Sequence, residues 1–562
     1  MCIFVGLATC LIYNMHYMKR FFVFLAAAAL TVACASPEKM AKLAENVKVE
    51  CQPAVLEVVA GSIDATVNVT YPKDYFNPNV VVEVTPVLVY QGGEAAMKPF
   101  KYQGEKVRNN YKVVSKDGQK VTEKIHFDYV EGMEKSYLEL RGKVIAGSKS
   151  INLPTRKVAD GANTTYMLVK NAGNVSFKAD NYQEVISSTT EGQIKYLVNS
   201  AEVRGSELKG NSVKEFLAAL DKIAQDERTT VKSTEIVAYA SPEGSVDKNN
   251  KLSDNRSKSA TKAWDKVTKG HEAVDPAVRS VGEDWEGFQQ LVSQSNLEDK
   301  DLILRVLSMY SDPAVRENEI RNMSQVYTAL KGEVLPELRR ARLIANVEFK
   351  NYSNEELLDL LENNEGLLDE EALLRVASLV RKPAQKEEIF KKAINKFNSE
   401  RAKFNLAALY LNQGKDEKAQ AGLNELNAND PDVINAKGVL ALHKQDYTAA
   451  ETAFRKAGTD DAKANLGIVL IETGRYDEAA QVLKDVDGCC NNTVLAYILT
   501  DQLDKAKATV HCRDPRVHYL KAIISAREGD AEGVKTNLEN AFKNKAFKER
   551  AATDIEFAGY TL

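Results

Sequence analysis

Positive charge is not in excess in this chain, because 75 Lys and Arg residues stand against 79 Asp and Glu, a formal net charge of -4. A protein without a basic field has no general attraction for polyanions, so nucleic acid is not an expected partner. The six histidines are scattered, and no H-E-x-x-H, G-x-S-x-G, G-x-x-x-x-G-K-[ST] or G-x-G-x-x-G motif occurs. These absences predict no catalytic residues, no metal site and no cofactor, and therefore a protein that is not an enzyme.

Cysteine is scarce, and none of it has the C-x-x-C spacing that indicates zinc binding or dithiol redox chemistry. Three of the seven cysteines lie within the first 34 residues, and the other four are Cys51, Cys489, Cys490 and Cys512. A helical hairpin would bring Cys512 close to Cys489 or Cys490, and an oxidising compartment would allow a disulfide with one of them. Buried free thiols are the alternative.

Long apolar runs are missing beyond residue 34, where nothing approaches the roughly 18 residues that a membrane-spanning helix requires. The N-terminal segment has a different pattern: Met18 is followed by the basic pair Lys19-Arg20 and then by the apolar run Phe21–Ala29. A basic start before a short apolar run is typical of a secretory signal. We interpret residues 1–34 as a signal peptide and expect Met18 to be the true initiator.

The end of this signal, Leu30-Thr31-Val32-Ala33-Cys34, resembles a bacterial lipoprotein box, although Thr31 stands where Leu is usual. The resemblance implies that Cys34 carries palmitate and related acyl chains as the first residue of the mature protein, which would give a stable membrane anchor. Simple cleavage after a small residue is the alternative. Ala35, where an Asp would favour the inner membrane, implies the outer membrane of a Gram-negative cell envelope. The body is expected to face the periplasm, with surface exposure left open.

Several domains are expected in a chain of 562 residues. Residues 35–178 alternate apolar and polar side chains, as at Ile63–Tyr71 and Ile125–Tyr129, and turn-forming residues separate the runs. This pattern predicts an all-β, sandwich-like region of the immunoglobulin-like kind, with strands continuing toward residue 175. Its expected role is spacing or protein contact.

Strands and helices alternate in residues 179–352. A strand is predicted within 194–203, a capping box at Ser212–Glu215 is expected to open a helix, and a further strand covers Thr234–Tyr239. A last strand begins near Leu343, after a helical insert at about 270–340. Strands separated by helices indicate a central α+β domain built on βαβ units.

Helical self-similarity characterises residues 353–562. Ala419, Ala450 and Ala479 follow one another at spacings of 31 and 29 residues, each in the second helix of a pair. The first helices of these pairs are expected to open at Asn405-Leu406-Ala407, Asn435-Ala436-Lys437-Gly438 and Asn465-Leu466-Gly467. The pattern resembles the tetratricopeptide repeat, which implies an all-α solenoid whose concave face binds an unknown protein partner.

The central domain contains the stretch Asn249-Asn250-Lys251-Leu252-Ser253-Asp254-Asn255-Arg256, which follows a strand and a turn. The stretch resembles the signature of the peptidoglycan-binding domain of the OmpA family. The resemblance implies that Asn249 and Arg256 belong to a binding site, with the guanidinium of Arg256 taking a carboxylate of the peptidoglycan stem peptide. Ser241 stands where the family has an Asp that holds an ammonium group, and Glu243 could substitute for it.

The complete interpretation is a multidomain protein with an N-terminal all-β region, an OmpA-like α+β domain with a helical insert, and a C-terminal tetratricopeptide-like solenoid. Two functions fit this arrangement. In the first, a non-enzymatic outer-membrane lipoprotein tethers the envelope, with the OmpA-like domain on peptidoglycan through Arg256 and the solenoid on a protein. In the second, the protein serves envelope assembly through protein contacts alone and retains the OmpA-like fold as a scaffold.

Overall fold

The computed structural model describes residues 36–561 except 270, 272–273, 298, 487–489 and 512–513. Cys34, Cys489 and Cys512 lie outside the described residues, so the lipid attachment and a disulfide of Cys512 with Cys489 stay predictions, whereas Cys490 is a free thiol in the structure. The chain divides into two compact units: one joins the chain up to Lys178 with the chain from Asn398 onward, and the other is Ala179–Phe397. Within the described part, no helix combines the length and apolar character needed to cross a membrane.

The N-terminal part of the first unit is a β region, preceded by the short helix α1 (Pro37–Lys42). Its eleven strands are β1 (Lys48–Gln52), β2 (Val55–Val59), β3 (Ser62–Tyr71), β4 (Val81–Tyr90), β5 (Gly93–Ala96), β6 (Phe100–Gly104), β7 (Lys112–Val114), β8 (Gln119–Asp128), β9 (Ser136–Ala146), β10 (Lys149–Asn152) and β11 (Arg156–Asn163). The alternation expected in β3 is confirmed, because every second side chain from Ile63 to Tyr71 is buried.

These strands form one curled sheet in the order β1-β3-β2-β11-β9-β4-β6-β7, with β8 beside β3, β5 beside β4 and β10 beside β9. Strand β2 makes the sheet continuous, because it pairs antiparallel with β3 and parallel with β11. The expected sandwich of two separate sheets therefore differs from the structure at this strand. The last strand also ends earlier than expected, at Asn163, and residues 169–178 belong to neither helix nor strand.

The second unit contains a four-stranded sheet of β12 (Val185–Lys195), β13 (Thr229–Ala240), β14 (Ala277–Glu283) and β15 (Arg340–Lys350), in the order β12-β15-β13-β14. Strands β13 and β14 are parallel, and β15 is antiparallel to both of its neighbours. The helices are α2 (Gly205–Leu208), α3 (Asn211–Ala224), α4 (Val246–Val267), α5 (Trp285–Gln294), α6 (Lys300–Met309), α7 (Pro313–Asn322), α8 (Ser324–Glu333), α9 (Leu335–Leu338), α10 (Asn354–Asn363), α11 (Glu370–Leu379) and α12 (Pro383–Phe397).

Three details of this unit differ from the sequence-based predictions. The first strand, β12, ends at Lys195, so the strand predicted within 194–203 is wrong for most of its length. The capping box at Ser212–Glu215 is also wrong, because Gly210 caps α3 and the Ser212 hydroxyl accepts a hydrogen bond from the Gln193 amide at 2.9 Å. The segment expected to be a helical insert begins with strand β14.

The rest of the first unit is helical, and its helices are α13 (Glu400–Leu411), α14 (Asp416–Asn424), α15 (Pro431–His443), α16 (Tyr447–Ala457), α17 (Asp460–Glu472), α18 (Tyr476–Leu483), α19 (Cys490–Leu499), α20 (Leu503–Thr509), α21 (Pro515–Arg527), α22 (Ala531–Ala541) and α23 (Lys545–Ala551). Successive helices of this part pack against each other in pairs. Ala419, Ala450 and Ala479 are fully buried. At Gly467 an added Cβ would lie only 2.4 Å from the Leu483 side chain. Small residues thus occupy the helix crossings, and the tetratricopeptide-like architecture is confirmed.

The β region and the repeats share one hydrophobic core. Polar contacts support the same junction: Glu556, beyond α23, accepts hydrogen bonds from Asn163 Nδ2 at 2.8 Å, Thr165 Oγ1 at 2.9 Å and Arg527 Nη2 at 2.6 Å. Because a common core excludes water across the junction, the two parts of this unit behave as one folded body.

Candidate functional site

The residues predicted to bind peptidoglycan gather where β13 ends and α4 begins. Strand β13 ends at Ala240, and the turn at 241–245 leads into α4 at Val246. The turn carries Ser241 and Glu243, and the first turns of α4 carry Asn249 and Arg256. The structure thus places these four residues in the same region of the second unit. Their burial and their partners were not predicted.

Arg256 is fully buried, with an exposed fraction of 0%. Its Nε donates to the carbonyl of Ser200 at 3.0 Å, its Nη1 to that of Tyr239 at 2.8 Å and its Nη2 to that of Leu197 at 3.2 Å. The Tyr196 ring lies 5.0 Å from the guanidinium carbon. Burial lowers the pKa of Arg256 to about 10, so the group stays cationic at neutral pH and its charge is met by carbonyl dipoles.

Glu243 is already paired within the protein. It accepts hydrogen bonds from Arg339 Nε at 2.8 Å and from the Ser241 hydroxyl at 2.7 Å. Burial by itself raises the pKa of Glu243, but the bonds from Arg339 and Ser241 outweigh it and hold the pKa below the usual range. The carboxylate is therefore ionised and neutralised, and Ser241 acts as its donor.

Asn249 ties α4 to two other elements. Its Nδ2 donates to the Gly244 carbonyl at 3.1 Å and to Glu283 Oε1 at 2.8 Å, and Trp285 Nε1 donates to the second oxygen of Glu283 at 2.8 Å. Ser253 accepts from the Gly282 amide at 3.1 Å. The predicted site is thus a polar cluster whose members satisfy one another, and Glu283 and Arg339 are the members that the sequence motif did not reveal.

A second polar site lies on the repeats, on the face formed by α13, α15, α17 and α19. Each of these helices carries one almost fully buried asparagine in its first half: Asn405, Asn435, Asn465 and Asn492. We call this face the asparagine groove. The chain's own residues 169–178, which we call the bound segment, lie in it.

Three asparagines each hold one residue of the bound segment by both backbone groups, the amide oxygen accepting from N–H and the amide nitrogen donating to C=O. These pairs are Asn492 with Lys170 (2.8 and 3.0 Å), Asn465 with Asn174 (2.7 and 2.8 Å) and Asn405 with Lys178 (2.7 and 2.9 Å). The remaining asparagine, Asn435, donates to the Asn174 carbonyl at 3.1 Å and accepts from Asn465 at 2.9 Å. The clamps recur at every fourth residue of the segment.

Acidic side chains add contacts along the groove. Asp461 accepts from the Ser176 amide at 2.6 Å and also from the Asn174 side chain. Lys178 Nζ lies 2.5 Å from Asp430 and 3.3 Å from Asp432. Burial by itself lowers the pKa of Lys178, but its two carboxylate partners raise the pKa above the usual range. The groove therefore favours a positive charge at this end of the segment.

The middle of the bound segment fits closely. Gly173 has a φ of +74°, and an added Cβ would lie 2.7 Å from the Val439 side chain. Val175 is 4% exposed. His443 contacts the Ala172 carbonyl through Nε2 at 2.9 Å and Asp416 through Nδ1 at 2.8 Å. A glycine and, two residues later, a buried apolar side chain are thus required in the bound segment.

The asparagine groove is thus occupied by the chain itself, and the binding of a partner protein on the concave face of the repeats stays a prediction. The recurrence of Asn405, Asn435 and Asn465 was visible in the sequence as helix openings, but each lies about one turn inside its helix. Cys490, at the start of α19, is a buried free thiol. Its thiol donates to the Thr509 carbonyl at 3.4 Å.

No family model matches this chain, and no curated protein is significantly similar to it. Among solved structures, it is similar to a tetratricopeptide repeat protein from Parabacteroides merdae, with 18% identity over 36% of this chain and 91% of that chain and a TM-score of 0.29. Pseudomonas aeruginosa pilF has 13% identity over 35% and 95%, with a TM-score of 0.25. Yeast Tom70 has 12% identity over 61% and 74%, with a TM-score of 0.24.

Proposed function

We propose that this protein is a non-enzymatic interaction scaffold of the Gram-negative outer membrane, anchored through lipid on Cys34, with its body in the periplasm. Its middle unit is an OmpA-like domain that serves as a scaffold and does not grip peptidoglycan through Arg256. The parallel β13–α4–β14 arrangement supports the OmpA-like interpretation, since the sequence resemblance implies a strand, a turn and a helix in this order. The observation that carries the proposal is the burial of Arg256.

A guanidinium that recognises a carboxylate must present N–H groups to it. All three nitrogens of Arg256 donate to carbonyls within the protein, and a ligand would have to displace the loop at 197–200 to reach them. Displacement would leave the carbonyls of Leu197 and Ser200 without a donor, which costs free energy in a buried setting. Glu243, the candidate for an ammonium group, is neutralised by Arg339.

The first unit supports the scaffold role independently. Its β region and its repeats share a core, so the unit presents surfaces from both parts in a fixed arrangement. Fixed surfaces reduce the entropy that a partner must lose on binding. Deletion of residues 400–562 would remove half of that core, so partner mapping needs point substitutions instead of truncation.

Sacculus binding and fractionation test the proposal together. The full chain, produced in a Gram-negative host, is expected in the outer-membrane fraction, and Cys34→Ser is expected to release it into the periplasm. The purified wild-type chain is expected to show no saturable binding to isolated sacculi. The control variant Arg342→Ala, which removes a half-buried ion pair with Glu191, is expected to behave in the same way. Saturable binding by wild type would contradict the scaffold role.

The tether function is the second candidate, and one observation favours it. Leu197 and Val198, in the loop that supplies two of the three carbonyls to Arg256, are 56% and 53% exposed, so the loop itself lies at the surface. Sacculus binding that is lost in Arg256→Ala, while the variant keeps its circular dichroism spectrum and Arg342→Ala still binds, would support the tether.

A further inference from the structure

We propose that the asparagine groove is a peptide-binding site which the chain's own bound segment occupies, and that its external ligand is a basic segment of a partner protein with the pattern Gly-Asn-Val-x-x-Lys. The inference rests on the proposed scaffold function, for which it supplies the chemistry of the partner. The bound segment, Lys170-Asn171-Ala172-Gly173-Asn174-Val175-Ser176-Phe177-Lys178, shows what the groove accepts.

The clamps contact backbone N–H and C=O groups, which all peptides have. Asn405, Asn465 and Asn492 each take one N–H and one C=O from the segment, and they do so at every fourth residue. A chain that follows the same path, with a residue that tolerates a positive φ at the position of Gly173, can present the same groups at the same spacing. The groove therefore recognises a backbone path first and side chains second.

Side-chain selection occurs at four positions of the bound segment. Gly173 is required because a Cβ would overlap Val439 and because its φ is positive. The next two residues are selected by Asp461, which takes the Asn174 amide group, and by the burial of Val175. Lys178 ends the pattern between Asp430 and Asp432.

Charge identifies the kind of partner. Asp430, Asp432 and Asp461 all contact the segment, so the groove is acidic where it binds, and a basic ligand is the complementary one. An acidic or phosphorylated peptide would meet like charges along the same path. A basic segment of a second envelope protein is the occupant that these contacts fit.

The covalent link explains why the site is closed in the isolated chain. A segment held on the same chain competes at an effective concentration in the millimolar range, so a free peptide of similar intrinsic affinity binds weakly until the segment is weakened. A partner can overcome this competition by adding contacts elsewhere on the protein. The bound segment thus determines how tightly a partner must bind before it can displace the segment from the groove.

The experiment uses the full chain and a fluorescein-labelled peptide with the sequence of residues 168–179. The opened variant is Gly173→Val with Val175→Asp, which weakens the segment but leaves the groove intact. By fluorescence anisotropy, the peptide is expected to bind the opened variant at least ten-fold more tightly than wild type. Lys178→Ala, a milder change that keeps the glycine and the valine, is expected to fall between them.

Controls decide whether binding uses the groove. Asn465→Leu, added to the opened variant, is expected to abolish binding, and a peptide with Glu in place of the final Lys is expected to bind at least ten-fold more weakly. The proposal would be overturned if the peptide bound neither the opened variant nor Lys178→Ala while both kept their circular dichroism spectra. The groove would then serve only to fix residues 169–178 within the first unit. Dimers that form in the opened variant by light scattering, and that exclude the peptide, would overturn it in favour of a second copy as the occupant. Neither result bears on sacculus binding or fractionation, so this inference and the proposed function fail separately.

Discussion

The asparagine groove and the Arg256 cluster solve the same physical problem in two regions of the molecule. In both, buried polar side chains donate to backbone carbonyls and leave few unmet groups. In the cluster, the carbonyls come from Leu197, Ser200 and Tyr239, which lie 56–59 and 17 residues from Arg256 in the same domain. In the groove, they come from a segment 227–322 residues away that has no secondary structure of its own.

The origin of the acceptors decides what each site can do. The carbonyls around Arg256 belong to a loop and a strand of the second unit, so they cannot move away from the guanidinium without disturbing that unit. Carbonyls of the bound segment can be replaced by those of another segment that follows the same path, with no change in the groove. A buried polar side chain therefore indicates a binding site only when the group that it binds can separate from the surrounding fold.

The largest expected effect is that of Arg256→Ala. The change leaves three carbonyls without a donor and a cavity beside Tyr196, and should lower the free energy of unfolding of the second unit by about 4 kcal/mol. Both tryptophans of the chain, Trp264 and Trp285, lie in this unit, so urea unfolding followed by tryptophan fluorescence measures it selectively. Arg342→Ala, the surface control, should cost less than about 1 kcal/mol. If the urea-unfolding transition of Arg256→Ala matched that of wild type, the hydrogen bonds of Arg256 would not stabilise the second unit. The Arg256 cluster would then not differ from the asparagine groove in the way described above.

The next effect is that of Asn465→Leu in the groove. The Asn174 amide and carbonyl then lose a partner each, which should cost about 3 kcal/mol in the first unit and should speed proteolytic cleavage within residues 169–178. The measurement is limited proteolysis, with the exposed Asn429→Leu as control. The tryptophan transition should not move. Equal cleavage rates in the two variants would show that the clamps do not hold the segment.

A smaller effect is expected for Gly173→Ala, which changes the segment and leaves the groove untouched. Its new methyl group meets Val439 and its φ is unfavourable for alanine, so a cost of about 1–2 kcal/mol is expected. Gly147→Ala, at a positive φ with open space around the new Cβ, separates the backbone strain from the contact. Thermal unfolding by circular dichroism measures both, and equal losses would show that Val439 exerts no selection.

The smallest effect concerns acid stability in the Arg256 cluster. The pKa of Glu243 is lower in the folded protein than in the unfolded chain, so its ion pair with Arg339 stabilises the fold above the ordinary value of 4.5 and is lost as the pH falls through the lowered value. Glu243→Gln should therefore cost about 1 kcal/mol at pH 7 and little at pH 3, by tryptophan fluorescence. A loss of the same size at both pH values would contradict the role of the charge.

The sequence predicted those features whose signal is local. The alternation from Ile63 to Tyr71 predicted β3, and the spacing of Ala419, Ala450 and Ala479 predicted the repeats, because each pattern reflects burial along a single element. Strand β12 was missed because its first five residues are exposed on both faces and show no alternation.

The candidate sites depended on contacts between residues distant in the chain, which no local pattern records. The motif placed Ser241, Glu243, Asn249 and Arg256 together, but not the loop that covers Arg256. The bound segment shows neither the helical nor the strand pattern of apolar residues in its sequence, and its hydrogen bonds go to side chains of other elements. The asparagines at 405, 435 and 465 were the one available signal, because an asparagine that recurs inside successive buried helices needs a polar partner.

The discontinuity of the first unit also constrains the order of folding. Its two parts are separated by the whole of Ala179–Phe397, and the clamps join residues up to 322 apart. As the chain emerges from its N-terminus, the second unit can reach its native structure while the β region still lacks half of its core. Long loops close slowly, so we expect the β region to stay susceptible to protease and chaperone until the repeats arrive. The β region at the start of the chain would then become stable only after the C-terminal repeats have been synthesised. An incompletely synthesised chain would therefore remain open to degradation.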